Sequence, residues 1–278
     1  MIHSLFLPWL LLAPALIILG LFTFWPMIFL LGLSFTQGSL TRSGSYWVGL
    51  ANYARLWSDP DFGQVLVNTL IYTLGTVIPA VVLPLLLAVI LNQNLPGRGL
   101  WRLLYFMPSI ISLVAAGLAF RWLFQTQGPL NQLLHLNIPW LSEPWGAMVA
   151  LITVSVWHQL GFNLVVFLAG LQTIPSTQYE AALLDGANAW QRFWYITLPN
   201  LQPTLVLVTV TTTLFTLRNF EPVYVMTGGG PLNRTNILVY YIYDQAFNQF
   251  DLGYAAAAAV VLFTVVLVLL IWRLKTAN

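Results

Sequence analysis

Six long apolar stretches separated by polar segments run along the chain: Leu7 to Phe35, Val65 to Leu91, Leu103 to Phe124, Trp145 to Leu171, Leu201 to Phe220 and Tyr254 to Trp272. A bilayer core of about 30 Å takes roughly 20 apolar residues of helix to cross, and each stretch meets that length. Lipid offers no partner to a free backbone N–H or C=O, so a crossing segment must be a helix or a strand of a closed barrel. These stretches are too long and too evenly apolar for barrel strands. The pattern therefore predicts an all-α polytopic membrane protein with six transmembrane helices. The first stretch lacks a basic region before it and is about twice the length of a signal-peptide core, which favours an uncleaved first span.

Composition strengthens this reading: 59% of the residues are hydrophobic, 6% are charged, and mean hydropathy is +0.80. The net charge of +2 reflects orientation rather than nucleic-acid binding. With the N-terminus inside, Arg98, Arg102, Arg192, Arg273 and Lys275 fall on the cytoplasmic side. Arg42, Arg55 and Arg234 fall outside, and Arg121 and Arg218 sit near outer helix ends where they can snorkel. The chemistry available to the chain is narrow. Lys275 is the only lysine and there is no GxxxxGK[ST] loop, so the chain is no ATPase of that type. There are no cysteines, no GxSxG elbow, and the three histidines (His3, His135, His158) lack metal-ligand spacing. No catalytic residue, metal site or bound cofactor is expected.

Between the fourth and fifth stretches lies EAALLDGANAWQRFWYITLP, residues 180–199. Pro175 ends the incoming helix. Thr177 and Glu180 have the spacing of a capping box, so a short helix should start there, and Asp185 with Gly186 should stop it. Asn188 and Gln191 can cap a second short helix, until Leu198, Pro199 and Pro203 redirect the chain into the fifth span. Two short helices joined at a glycine corner would form a polar knob. An interfacial helix lying on anionic headgroups fits less well, because the first helix carries Glu180 and Asp185 and no basic residue.

The same residues resemble the EAA loop of the permease subunits of bacterial ATP-binding-cassette importers: Glu180, Ala181, Ala182, then Asp185, Gly186, Ala187, then Phe193, Ile196, Leu198, Pro199 and Pro203. WHQLGFNLVVFLAGLQTIP before the loop and YVMTGGGPLNRT after it are similar to the carbohydrate-uptake branch, of maltose-permease or glycerol-phosphate-permease type. The likeness spans Val65 to Trp272. It implies the ABC importer type I permease fold, with residues 1–64 as first span and external loop, 65–272 as core with a coupling loop at 175–203, and 273–278 as cytoplasmic tail. It implies a coupling helix gripped by a cytoplasmic ATPase, with Glu180 facing it and Gly186 permitting the turn. The implied partners are a second permease subunit, two ATPase subunits that use ATP and Mg, an extracytoplasmic solute-binding protein, and a sugar or sugar-like solute. The implied location is the bacterial inner membrane with both termini cytoplasmic.

Polar residues inside the spans point to a pathway or to helix contacts. Thr209, Thr212, Thr216 and Asn219 share a face of the fifth span; Ser155, His158 or Gln159, and Phe162 form a stripe on the fourth, with Asn163 adjacent. At 1.5 Å per residue, Gln159 and Thr212 fall about halfway across. Hydroxyls and amides suit sugar hydroxyls, and Trp157, Phe162, Phe215 and Phe220 suit sugar C–H faces. Helix-to-helix glue is the competing role for each threonine. At the outer end, Arg218 and Glu221 read as an ion pair or snorkelling pair, and Arg218 leaves open an anionic solute such as glycerol phosphate. Thr227–Pro231, TGGGP, lacks a phosphate-loop lysine and reads as a turn shaping an external contact. An autonomous secondary carrier would need intramembrane carboxylates or an inverted repeat, and neither is visible.

Overall fold

The computed structural model describes residues 3–39, 42–93 and 96–276. Four expected spans are continuous. α1 (His3–Leu19) runs through a π turn at Gly20–Phe24 into α2 (Trp25–Leu33), and none of the crossing window in Leu11–Leu33 is buried within the chain. The others are α4 (Pro60–Leu91), α8 (Pro144–Gln172), which the short α7 (Pro129–Leu134) precedes, and α14 (Leu252–Thr276). The remaining two are bent pairs, so among the described residues the helices long enough to cross number four, or six if each pair is one span. α5 (Arg98–Phe106) and a 3-10 turn at Met107–Ile110 meet α6 (Leu113–Leu123) at 97°, because Ile111 and Ser112 are extended with ψ of 137° and 133°. α10 (Ala189–Arg192), a π turn at Phe193–Thr197 and α11 (Leu198–Asn200) meet α12 (Gln202–Leu217) at 69°. Pro199 occupies the first turn of α11, where its missing N–H costs nothing, so the chain turns after Asn200 rather than at Pro199.

The chain divides into two units. One comprises Met1–Phe62 with Tyr241–Val265. It holds an antiparallel hairpin that hydropathy did not predict, β1 (Thr36–Ser39) and β2 (Arg42–Trp47), with Thr36 opposite Trp47. Phe35 stacks on Trp47 at 5.4 Å. On α3 (Ala51–Ser58), Asn52 donates to the carbonyls of Ser34 (3.0 Å) and Thr36 (2.9 Å), which fixes the connection after α2. Arg55 pairs with Asp251 at 2.6 Å and lies 4.2 Å from the Tyr254 ring centroid.

Asp59 accepts from the hydroxyls of Tyr254 (2.7 Å) and Tyr241 (3.0 Å) and from the Asp61 N–H (2.9 Å). Burial works against its charge, but the tyrosine hydroxyls and the Asp61 and Phe62 N–H groups outweigh burial and hold its carboxyl below the usual carboxylate range. The same neighbourhood raises the Tyr241 phenol, chiefly through burial and then through its bonds to Tyr254 and Asp59. A depressed folded pKa stabilises above the unfolded value of about 3.9, and that contribution disappears as pH falls toward the folded value. Comparing thermal unfolding of wild type and Asp59→Asn, the stability gap should be constant from about pH 5 to 8 and close below about pH 4.

The other unit comprises Gly63–Tyr240 with Val266–Asn278. α8 is its axis, with 56% of its crossing window buried. Val81, Leu85, Leu164, Phe167 and Leu201 form one apolar cluster, and Tyr72, Leu151, Val154, Val223 and Ile237 belong to another. Gly170 lets α12 approach α8: a Cβ there would lie 2.5 Å from Thr204 Oγ1. A polar seam ties α4, α8 and α12 together. Tyr72 OH and Ser155 Oγ are 2.7 Å apart, and Asn163 Nδ2 donates to Thr212 Oγ1 (2.9 Å) and to the Ala80 carbonyl (2.6 Å).

That last bond has a local cause. Pro84 lies four residues after Ala80 inside α4 and has no N–H for the Ala80 carbonyl, so Asn163 supplies the donor from the neighbouring helix. Asn163→Leu should therefore cost about 2 kcal/mol by orphaning a buried carbonyl. Adding Pro84→Ala should recover most of that in thermal unfolding, since the new N–H restores the intrahelical bond.

Candidate functional site

The knob between α8 and α12 is assembled from two capping motifs set back to back. α9 (Ser176–Leu184) begins with Pro175 at its N-cap and no side-chain cap, so the Thr177–Glu180 capping box does not form. The helix starts two residues too early for Thr177 to cap it. Its other end follows the expected grammar in detail. Gly186 has φ +79°, its N–H donates to the Leu183 carbonyl (3.1 Å), and the Ala187 N–H reaches the Ala182 carbonyl (2.9 Å). This pair of bonds is a Schellman motif, and its left-handed corner gives Gly186 a physical reason for its identity. One residue later the second box closes: the Asn188 side chain accepts from the Gln191 N–H, and the Gln191 side chain accepts from the Asn188 N–H, both at 2.9 Å.

The knob is anchored on one side and open on the other. Tyr179 OH lies 2.9 Å from Thr197 Oγ1, Asn200 Nδ2 donates to Gln178 Oε1 at 3.0 Å, and Tyr179, Phe193, Ile196 and Leu198 pack on the apolar cluster around Phe167. Glu180, Ala181, Asp185 and Gly186 are exposed, and Ala182 and Ala187 are half-buried. Leu184 at the corner is 90% exposed and Leu183 beside it 54%. A cavity of about 560 Å³ opens beside the knob, lined by Asn92, Gln93, Tyr179 and Arg192 among others.

The two polar stripes face each other across α8 and α12. Thr212, Thr216, Gln159 and Asn219 are buried. Gln159 Nε2 lies 3.4 Å from Thr216 Oγ1 and Asn219 Nδ2 lies 3.4 Å from Tyr72 OH, both long contacts. Thr209, Thr213 and Thr216 also donate back to the carbonyls one turn earlier. Phe162 and Phe215 are exposed, at 46% and 59%. His158 is half-buried with Nε2 3.0 Å from the Ile111 carbonyl; an oxygen there can only accept, so Nε2 carries the proton. Arg218 is exposed at the C-cap of α12 and makes no ion pair with Glu221.

Further along, α13 (Leu238–Tyr243) is preceded by the glycine-rich turn. Gly228 and Gly229 take φ +57° and +81°, and Leu232 at φ +51° is 83% exposed. Thr235 stitches the turn by donating to the Gly230 carbonyl at 2.5 Å. Leu232 borders a second cavity of about 390 Å³ with Trp145, Glu143 and Arg234. Sequence reasoning missed Tyr72 and Ser109, which carry cross-helix bonds that no local pattern marks.

Comparison with known proteins places this arrangement. The family described as binding-protein-dependent transport system inner membrane component matches residues 66–276. The chain is 36% identical to the lactose transport system permease protein LacF of Rhizobium radiobacter, over 94% of this chain and 90% of LacF. It is 40% identical to the sulfoquinovosyl glycerol transport system permease protein SmoG of Agrobacterium fabrum, over 91% and 84%. A chain of the bacterial alginate ABC transporter, solved in complex with an alginate pentasaccharide-bound periplasmic protein, superposes with TM-score 0.84 at 25% identity, covering 98% of this chain and 94% of that one. The protein belongs to the family of binding-protein-dependent transport system inner membrane components, the membrane permeases of ABC importers.

Proposed function

We propose that the chain forms half of the translocation pathway of an ATP-driven, binding-protein-dependent importer of a sugar or sugar-like solute, and that α9 is its coupling helix. The observation that carries this reading is the corner of the knob: Leu184 is 90% exposed beside Glu180 and Asp185. An apolar tip framed by carboxylates suits a protein cleft better than water or anionic headgroups. Glu180, Ala181, Ala182, Asp185, Gly186 and Ala187 form the ATPase-facing surface. ATP and Mg are used by two partner ATPase subunits, and this chain needs no cofactor of its own. A second permease completes the pathway, and a solute-binding protein docks on the opposite side, where Leu232 and Trp145 stand out. The termini and the knob share the cytoplasmic side of the bacterial inner membrane.

Along the pathway, His158 and Phe162 meet the solute, while Gln159, Thr212, Thr216 and Asn219 hold the α8–α12 wall behind them. The broken third span supports this placement, because extended backbone at Ile111–Ser112 is unfavourable against lipid and needs a protein or water-filled surround. The relatives' solutes include a neutral disaccharide and an anionic glycoside. Arg218, exposed and unpaired with Glu221, favours an anionic sugar or glycerol phosphate as the second reading. Proteoliposomes holding the permease pair, the ATPases and the binding protein should take up lactose, an anionic glycoside or glycerol phosphate only with ATP inside. Uptake by this chain alone under a sodium or proton gradient would replace the importer with a secondary carrier.

A further inference from the structure

The broken third span is fastened to α8 by a device that the pathway reading leaves unused. Ser109 Oγ accepts from the Phe162 N–H at 3.0 Å and donates to the His158 carbonyl at 2.9 Å. Those are the two groups that a regular helix pairs with each other, so the Ser109 hydroxyl sits astride the α8 hydrogen-bond ladder. Between them lies Gly161, where a Cβ would collide with the Tyr105 carbonyl oxygen and lie 2.7 Å from Phe106 Cα and 2.8 Å from Ser109 Oγ. His158 Nε2 then takes up the Ile111 carbonyl at the break itself. Backbone contact, an inserted hydroxyl and a ring donor thus fix α5 and the turn after it to the middle of α8. By contrast, the α5–α6 side of the break is spanned by two extended residues.

α8 also leads directly to the knob: it ends at Gln172, and α9 begins at Ser176. We propose that Ser109 is a positioning residue that locks α5 to α8, so that displacement entering at α9 moves both as one body and the bend is taken up at Ser112, beyond the Ile111 carbonyl that His158 holds. The proposal rests on the assignment of α9 as the coupling helix. Packed elements joined by discrete polar contacts shift as rigid bodies, and flexure falls on the few residues between them.

Because the chain has no cysteines, a spin-label pair at Leu104→Cys and Val165→Cys reports the α5–α8 distance, provided the partner subunits are made cysteine-free. Both positions are exposed, at 48% and 44%. In the full complex that distance should stay constant, within about 2 Å, between nucleotide-free and ATP-trapped states. Ser109→Ala should let it change with nucleotide and reduce ATP-driven uptake roughly 10-fold while the ATPases still co-purify and hydrolyse ATP. Ser109→Thr, which keeps the hydroxyl, should restore uptake. A wild-type distance that changes with nucleotide overturns the proposal, as does Ser109→Ala transporting at the wild-type rate. The wild-type measurement decides the matter even if Ser109→Ala does not fold. Loss of ATPase co-purification from the wild-type chain would instead strike at the coupling-helix assignment.

Discussion

Proline at Gly186 is expected to abolish coupling: ATP-driven uptake falls about 100-fold or more, and the ATPase subunits no longer co-purify, while the chain still inserts in the membrane. Proline fixes φ near −65°, whereas Gly186 sits at +79° and donates its N–H to Leu183, so the substitution removes a bond and reverses a dihedral, at about 3 kcal/mol or more. No heavy atom lies within 4 Å of a Cβ at this position, so crowding plays no part. Gly186→Asn, which tolerates the left-handed region, should therefore keep most of the activity. Glu180→Lys leaves the corner intact and reverses its charge; it should impair ATPase binding without altering thermal stability. Equal effects from the asparagine and proline variants would show that the side chain rather than the turn matters at 186.

Gly253→Val is expected to be strongly destabilising in the unit made of Met1–Phe62 and Tyr241–Val265. A Cβ on Gly253 would collide with the Thr36 carbonyl oxygen and lie 3.1 Å from Asn52 Nδ2, the amide that donates to that same carbonyl. The obstacle is backbone, not a flexible side-chain tip, so relief means displacing the β1 end of the hairpin and losing the Asn52 bonds. Overpacking of this kind costs about 3 kcal/mol, which for a chain of this size lowers the midpoint of thermal unfolding by roughly 5–10 °C. An unchanged midpoint would mean that the hairpin and α14 part without cost.

Hydropathy located the long apolar helices because lipid burial writes itself into composition: four run unbroken, and the other two stretches fall on bent pairs. It was blind to the 97° break at Ile111–Ser112: both residues sit in an apolar run, and the α8 groups that meet the break lie far along the chain, His158 being 47 residues beyond Ile111. The hairpin escaped for the opposite reason. Its residues, TQGS and RSGSYW, are polar and glycine-containing, and their pairing is fixed by Asn52 and the Phe35–Trp47 stack. In the knob, the C-cap at Gly186 and the Asn188–Gln191 box were legible because capping chemistry is local. Thr177 misled because a serine and a proline ahead of it let the helix start earlier. The stripes on α8 and α12 meet at the contact between these helices, through Gln159–Thr216 and Asn163–Thr212, but periodicity cannot say whether polar groups on two helices bond to one another or to a solute.

The most direct test of the account uses Leu184→Cys in the cysteine-free chain. In intact membranes carrying the whole transporter, a thiol at this corner should cross-link to an ATPase subunit and should resist a membrane-impermeant thiol reagent added from the periplasmic side. Labelling from the periplasm, or a thiol that reacts only with lipid-soluble reagents and never with the ATPase, would contradict the assignment of the knob as the place where the importer's motor takes hold.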